Sequence, residues 1–168
     1  MNPLPFTWNG EAMEIARGFG KLADKRFVIG ERYVLDVIEE RNPKSHAAYF
    51  AAVTEAWKTL PDVLAEQFPT ADHLRKFCLI KADFHDHRSI VANSKAEAQR
   101  IAAFIKPMDS FAVVTVKDCV INVYTARSQK LRAMNRQEFE ASKKAVLDIL
   151  DDMLGVERGT VQKQGAAA

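Results

Sequence analysis

The sequence contains few of the residues that cross-link a protein or anchor it in a membrane. Its 168 residues include only two cysteines, Cys78 and Cys119, which lie far apart and outside any metal-binding spacing. We therefore expect two free thiols in a reducing compartment rather than a disulfide or a zinc site. No apolar run approaches the length of a transmembrane helix, and no basic segment with a following apolar stretch opens the chain. These absences predict a cytoplasmic protein without membrane contact.

The motifs of several enzyme classes are also absent. The sequence has no Gly-x-Ser-x-Gly, no phosphate-binding P-loop, no His-Glu-x-x-His and no nucleotide-binding glycine fingerprint. Cys78 could form a catalytic dyad with His46 or His73. However, Cys78 falls on the apolar face of a predicted helix, which favours a buried structural thiol. The sequence therefore predicts a protein that is not an enzyme and needs no cofactor.

One segment, Asp83-Phe84-His85-Asp86-His87, contains residues that could bind a metal ion. In an extended strand Asp83, His85 and His87 would point to one side, and two imidazoles with a carboxylate can ligate zinc or iron. Such a site needs a fourth ligand or an open water position, and the sequence places no other histidine nearby. A solvated loop is the favoured interpretation, with these three residues as weak metal candidates.

The positive charge of the chain is concentrated in its middle. The formal net charge is only +2, yet residues 75–136 hold 12 Lys/Arg and 5 Asp/Glu, and both flanking segments are net acidic. From Cys119 to Gln137 there are four cations and no acid. This asymmetry predicts a surface for an anionic partner. The alternative is a solvated surface whose acidic residues come from elsewhere in the fold.

Local patterns predict an α+β fold. An Asn-Gly turn predicts a hairpin over residues 6–15, a strand is predicted over 31–39, and a second hairpin over 110–124. Capping residues and apolar spacing predict helices from Pro43, from Thr70, from Ser94 and from Asn135, with a short helix between Pro61 and Pro69. We therefore predict one α+β domain over residues 1–156, with about five helices packed on short antiparallel hairpins. Residues 157–168 are predicted to be a disordered tail.

Two segments are candidates for anion binding. Arg41 and Lys44 lie at the predicted start of the helix that Asn42 caps, where the helix dipole and backbone amides favour an anion. An ordinary helix start explains the same pattern. The second segment, residues 127–132, leads out of a predicted strand, and its cations could neutralise phosphates while Ser128 and Gln129 donate to phosphate oxygens. A solvated loop is the alternative there.

The order of these motifs resembles the NinB (Orf) family of phage recombination proteins and its uncharacterised phage relatives. The matching pieces lie between about Val34 and Val156. They are residues 40–46 followed by 49–51, residues 77–82, residues 125–128 and residues 134–139. The N-terminal hairpin and the segment 83–87 depart from the family pattern. Order and spacing, rather than any single piece, carry the resemblance.

The resemblance implies a homodimeric α+β protein that binds single-stranded DNA and cooperates with the host single-strand-binding protein to load recombinase. Carried over by position, it implies DNA contacts by Arg41, Lys44, Arg127, Lys130 and Arg132. We therefore expect a phage- or prophage-derived accessory protein of DNA recombination. Two alternatives stay open. One is a non-enzymatic protein-interaction module that acts on a host protein, and the other is a metal-dependent hydrolase built on Asp83, His85 and His87.

Overall fold

The structure is a computed structural model that describes residues 3–37, 42–130 and 132–167, except for the side chains of residues 166 and 167. The chain divides into two compact units, Met1–Val37 and Ile38–Ala168. The described residues form helices and two small antiparallel sheets. The predicted α+β class is therefore confirmed.

The N-terminal unit contains the predicted hairpin. Strand β1 (Phe6–Trp8) pairs antiparallel with strand β2 (Met13–Ile15), and helix α1 (Gly20–Asp24) follows. In the turn, Asn9 Oδ1 accepts the backbone N–H groups of Glu11 and Ala12, each at 2.8 Å. The side chain of asparagine thus replaces a backbone acceptor in the turn, which is why this residue type favours such positions.

The strand predicted over residues 31–39 is wrong in its described part. Residues 31–37 adopt no regular secondary structure, and the rest of that prediction lies outside the described residues. The Tyr33 ring packs edge-on against Phe27 at 4.9 Å, and its hydroxyl accepts the N–H of Val28 at 2.8 Å. An alternating sequence forms a strand only where a neighbouring strand pairs with it. Here the Tyr33 side chain contacts Phe27 and Val28, which precede it in the chain, rather than a neighbouring strand.

Helices form the larger core of the C-terminal unit. They are α2 (Pro43–Lys58), the short α3 (Asp62–Ala65), α4 (Ala71–Lys81), α6 (Arg136–Leu154) and α7 (Thr160–Ala167). Their buried side chains meet in one cluster that includes Tyr49, Val53, Leu74, Leu79, Phe139, Val146, Leu150 and Val161. Among the described residues, no helix combines the length and apolar character needed to cross a membrane.

The predicted helix caps are present. The side chains of Asn42, Thr70 and Ser94 each accept a backbone N–H from the first turn of the helix that follows. Asn135 and Glu138 form a reciprocal capping box at the start of α6. Gly155 ends α6 with φ +65°, a left-handed conformation that glycine adopts without a steric penalty. Local chemistry therefore sets the boundaries of these helices.

A three-stranded antiparallel sheet forms the second layer of this unit. Strands β3 (His85–Val91), β4 (Val113–Lys117) and β5 (Val120–Ala126) lie in the order β3-β5-β4. Helix α5 (Lys95–Ile105) packs on one face of the sheet through Ala98 and Ala102, against a cluster around Ile121. The β4–β5 hairpin confirms the prediction for residues 110–124. The prediction of a solvated loop over residues 83–87 is wrong from His85 onward, because His85, Asp86 and His87 pair with β5.

Helix α7 occupies the segment that was predicted to be a disordered tail. The Asp151 carboxylate of α6 is fully buried and accepts the N–H of Gly159 at 2.6 Å and of Val161 at 2.9 Å. It therefore satisfies backbone donors around the start of α7, which would otherwise lack partners. Val161 is 1% exposed and adds apolar burial. The small and polar composition of residues 157–168 gave no indication of this anchor, because the anchor lies in α6.

We expect the substitution Gly165→Ala to lower the free energy of unfolding by about 1–3 kcal/mol. A Cβ at Gly165 would collide with Ala52 Cβ and lie 2.5 Å from the carbonyl oxygen of Ala48 in α2. Urea unfolding measures the change, with Gln164→Ala on the exposed side of α7 as the matched control. Alanine favours a helix over glycine by about 1 kcal/mol. A variant that is more stable than the original protein would therefore contradict the close packing of α7 on α2.

Candidate nucleic-acid interface

The sheet face opposite α5 is largely open to solvent. Successive side chains of a strand point to opposite faces, so the strand register assigns each residue to one face. We call the exposed one the open sheet face. It consists of His85, His87, Ser89, Val91, Val113, Thr115, Lys117, Val120, Asn122, Tyr124 and Ala126. The side chains of His87, Ser89, Val91, Thr115 and Lys117 are exposed, and the others are half-buried.

An aromatic cluster lies at the centre of the open sheet face. The rings of His87 and Tyr124 are stacked, with centroids 4.7 Å apart and planes 10° from parallel, and His85 meets Tyr124 edge-on at 5.1 Å. The His87 Nε2 lies 2.9 Å from Asn122 Oδ1. The His85 Nδ1 lies 3.0 Å from the carbonyl oxygen of Ile80, which can only accept, so this nitrogen carries the proton. These contacts hold the aromatic rings in fixed orientations.

The charges on the open sheet face favour an anion. None of its eleven residues is acidic, and Lys117 lies at the end next to the β4–β5 turn. Asp86, the acidic residue within β3, points to the other face by the same alternation. A planar aromatic pair among polar side chains without carboxylates can stack on a flat ligand while nearby cations contact its phosphates.

A basic loop, defined here as residues 127–130 and 132, continues directly from β5. The N–H of Arg127 donates to the carbonyl oxygen of Phe84 at 2.9 Å, which extends the β3–β5 pairing by one residue. Its guanidinium forms an ion pair with Glu138 at 3.5 Å, and both side chains are more than a third exposed. Such an exposed ion pair contributes little to stability, so Arg127 can exchange Glu138 for another anion. Lys130 and Arg132 are also exposed.

Gln129 holds the basic loop to the helices, and the prediction that it donates to phosphate is wrong. Its side chain is only 7% exposed. Its Oε1 accepts the Arg75 guanidinium at 2.6 Å and the Tyr49 hydroxyl at 3.2 Å, and its Nε2 donates to Ser142 Oγ at 2.7 Å. The amide therefore bridges α2, α4 and α6 from the loop. Its amide oxygen and nitrogen are therefore engaged by protein groups of the helical core.

The Arg75 side chain of α4 is 12% exposed despite its charge. Besides Gln129 it contacts Asp72, and its guanidinium lies 5.4 Å from the centre of the Phe50 ring. Burial would raise the pKa of Asp72, but the hydrogen bond and charge of Arg75 outweigh it, so that pKa lies below its ordinary value. Burial also raises the pKa of Tyr49 to about 12, against the opposing effects of Gln129 and Arg75. Tyr49 therefore stays a neutral donor.

The candidate anion site at the start of α2 is only partly described. Arg41 lies outside the described residues, whereas Lys44 is exposed. The Asn42 side chain accepts the N–H groups of Lys44 and Ser45, so two amides of the first turn already have a partner. His46 stacks on Phe139 at 5.5 Å, which places the first turn of α2 beside the first turn of α6.

The weak metal candidates do not form a ligand set. Among the described residues, no three His, Cys, Asp or Glu side chains lie close enough together to hold a metal ion. Asp83 precedes β3 in a left-handed conformation with φ +64°, and His85 and His87 already contact other partners. Cys78 is fully buried, and burial raises the pKa of its thiol to about 12. That thiol is structural, as predicted.

Comparisons with known protein families, curated proteins and solved structures found no match to this chain. The resemblance to NinB-like proteins therefore rests on the quoted motifs, and the case for a function rests on the geometry of the open sheet face and the basic loop.

Proposed function

We propose that the protein binds single-stranded DNA across the open sheet face and the basic loop. The stacked pair of His87 and Tyr124 carries this proposal, because it presents aromatic surface on an exposed sheet face without carboxylates. Exposed aromatic residues on sheets stack on unpaired bases, and neighbouring cations contact the phosphates. Arg127, Lys130 and Arg132 of the basic loop and Lys117 supply those cations.

The form of the surface favours a single strand over a duplex. In a duplex the flat faces of the bases are stacked on one another, so an aromatic side chain on a sheet cannot reach them. An unpaired strand exposes those faces and can lie along the sheet. Each stacked base contributes about 1–3 kcal/mol to such binding, and this contribution depends little on which base is stacked. We therefore propose a binding protein with weak sequence preference rather than an enzyme.

The biological setting of the proposal comes from the NinB-like motifs alone. In that setting the protein is a phage- or prophage-derived accessory factor of DNA recombination that acts beside the host single-strand-binding protein. The resemblance also carries Arg41 and Lys44 into the proposed DNA contacts. This extension is supported by Lys44, which is exposed in the first turn of α2, where that turn lies beside α6.

Replacing Arg127, Lys130 and Arg132 with alanine is expected to weaken binding of single-stranded DNA and to flatten its salt dependence. Each phosphate contact contributes about 0.7 to the slope of log affinity against log salt, so three lost contacts reduce the slope by about 2. Fluorescence anisotropy with a labelled oligonucleotide over a salt series measures both quantities. No binding of the original protein at low salt would remove the proposed function.

The matched control removes the same charge elsewhere in the same unit. Lys58, Lys144 and Lys163 are exposed, and the described ion pairs of the first two join residues i,i+3 or i,i+4 of one helix. Their triple alanine variant should bind with a nearly unchanged salt slope. Equal losses of affinity and salt slope in the two triple variants would mean that net charge, rather than the basic loop, determines the affinity.

A further inference from the structure

Strand β3 is an edge strand that is exposed on both of its faces. Strand β5 pairs with one side of β3, and no described strand pairs with the other. From Asp86 to Val91 every residue is exposed, including Ile90 at 41% and Val91 at 77%. Helix α5 packs mainly over β4 and β5, which leaves β3 uncovered. A long, unprotected edge strand with apolar residues is a site where another strand can pair.

The outer edge of β3 presents backbone groups in a regular pattern. At the two ends of the β3–β5 ladder, Arg127 N–H donates to Phe84 O and Ala92 N–H donates to Cys119 O. In an antiparallel pair, hydrogen-bonded and non-hydrogen-bonded positions alternate. The even-numbered residues from 84 to 92 therefore bond to β5. The odd-numbered residues His85, His87, Ser89 and Val91 direct their N–H and C=O groups outward.

The charges of β3 are complementary to a second copy of β3. Asp86 and Arg88 flank His87. In an antiparallel pair centred on His87, Asp86 of each copy lies opposite Arg88 of the other, in the positions where side chains come closest. A pair centred on Asp86 or on Arg88 would place like charges opposite each other, which is unfavourable. A pair centred on Ser89 would leave Arg88 opposite Ile90.

We propose that two copies of this chain pair through β3, antiparallel and centred on His87, to form one six-stranded sheet. The pairing bonds the outward groups of His85, His87 and Ser89, forms two Asp86–Arg88 ion pairs and places Ile90 opposite Phe84 of the second copy. The two-fold axis stands perpendicular to the sheet, so the two open sheet faces lie side by side. The inference depends only on β3 and is independent of the proposed DNA binding.

Charge reversal tests this register directly in sedimentation equilibrium of the full chain. Arg88→Asp leaves two acids on β3, and Asp86→Arg leaves two bases, so each variant alone should dimerise more weakly by about tenfold or more. An equimolar mixture should recover the original affinity, because every residue 86 then lies opposite a residue 88 of opposite charge. Arg100→Asp, an exposed reversal on α5, is the matched control and should dimerise like the original protein.

Residue-resolved amide exchange provides a second measurement. Protection of the His85, His87 and Ser89 amides should rise with protein concentration, whereas the Asp86 and Arg88 amides should be protected by β5 at every concentration. Retained protection of the even-numbered amides also shows that a variant is folded. A protein that stays monomeric, with rapidly exchanging odd-numbered amides, would overturn the proposal and leave the edge for a different partner. A dimer whose affinity is unchanged by both charge reversals would overturn the proposal as well.

Discussion

The double substitution of His87 and Tyr124 by alanine is expected to weaken single-stranded DNA binding by about 2–4 kcal/mol, which is roughly 30- to 1,000-fold. The two rings are stacked on each other at 4.7 Å, so they act as one surface, and removal of either exposes or displaces the other. Both substitutions are therefore needed to remove the full stacking contribution. Anisotropy titrations with a labelled oligonucleotide measure the change.

This variant should differ from the basic-loop variant in its salt dependence. Stacking is not a phosphate contact, so the slope of log affinity against log salt should stay near that of the original protein. A double replacement by phenylalanine keeps two aromatic rings and should retain most of the affinity. The matched control is Phe104→Ala, because Phe104 is an aromatic residue of α5 that is 71% exposed. Equal losses with Phe104→Ala would argue against a localised stacking site.

The helices were predictable because their determinants are local. Capping residues and apolar spacing defined α2, α4, α5 and α6 closely. Local patterns do not define which of two adjacent aromatic residues of α2 is buried: the structure buries Tyr49 and leaves Phe50 37% exposed. The two residues are neighbours on the helix, and the choice between them depends on tertiary contacts. The Tyr49 hydroxyl donates to Gln129, 80 residues away, which no local pattern can reveal.

Strand β3 and its aromatic cluster were missed for a related reason. A half-buried strand alternates apolar and polar residues, but β3 is exposed on both faces and carries only Ile90 and Val91 as apolar residues. The sequence pattern around His85 therefore predicted a loop. Tyr124 lies in the predicted hairpin over residues 110–124, but its pairing with His87 depends on a register between strands separated by α5. The basic loop, by contrast, was visible in the charge pattern.

The network around Gln129 joins the fold to the proposed interface. Its described hydrogen-bond partners Tyr49, Arg75 and Ser142 come from three different helices, and Ser142 is fully buried while the Arg75 side chain is 12% exposed. Hydrogen bonds in such surroundings contribute modestly when complete but are costly to leave unmade. Arg75 carries a charge, so the loss of a partner is more serious for it than for a hydroxyl. The position of the basic loop is therefore coupled to the stability of the helical core.

We expect Gln129→Leu to lower the free energy of unfolding by about 2–4 kcal/mol, measured by urea denaturation. Leucine approximates the volume of glutamine but can neither accept from Arg75 and Tyr49 nor donate to Ser142. Gln129→Glu should recover part of the loss, because a carboxylate still accepts from Arg75 and Tyr49. Arg132→Ala, an exposed change in the same loop, should leave stability within about 0.5 kcal/mol.

The same Gln129→Leu variant also separates positioning from contact in DNA binding. If Gln129 acts by holding the loop, the folded variant should bind single-stranded DNA more weakly, although none of its cations has been removed. The His87–Tyr124 stacking contribution should persist, because that pair lies on the sheet rather than in the loop. A variant that remains as stable as the original protein would show that the three partners find other hydrogen bonds. The buried network would then not be what positions the basic loop.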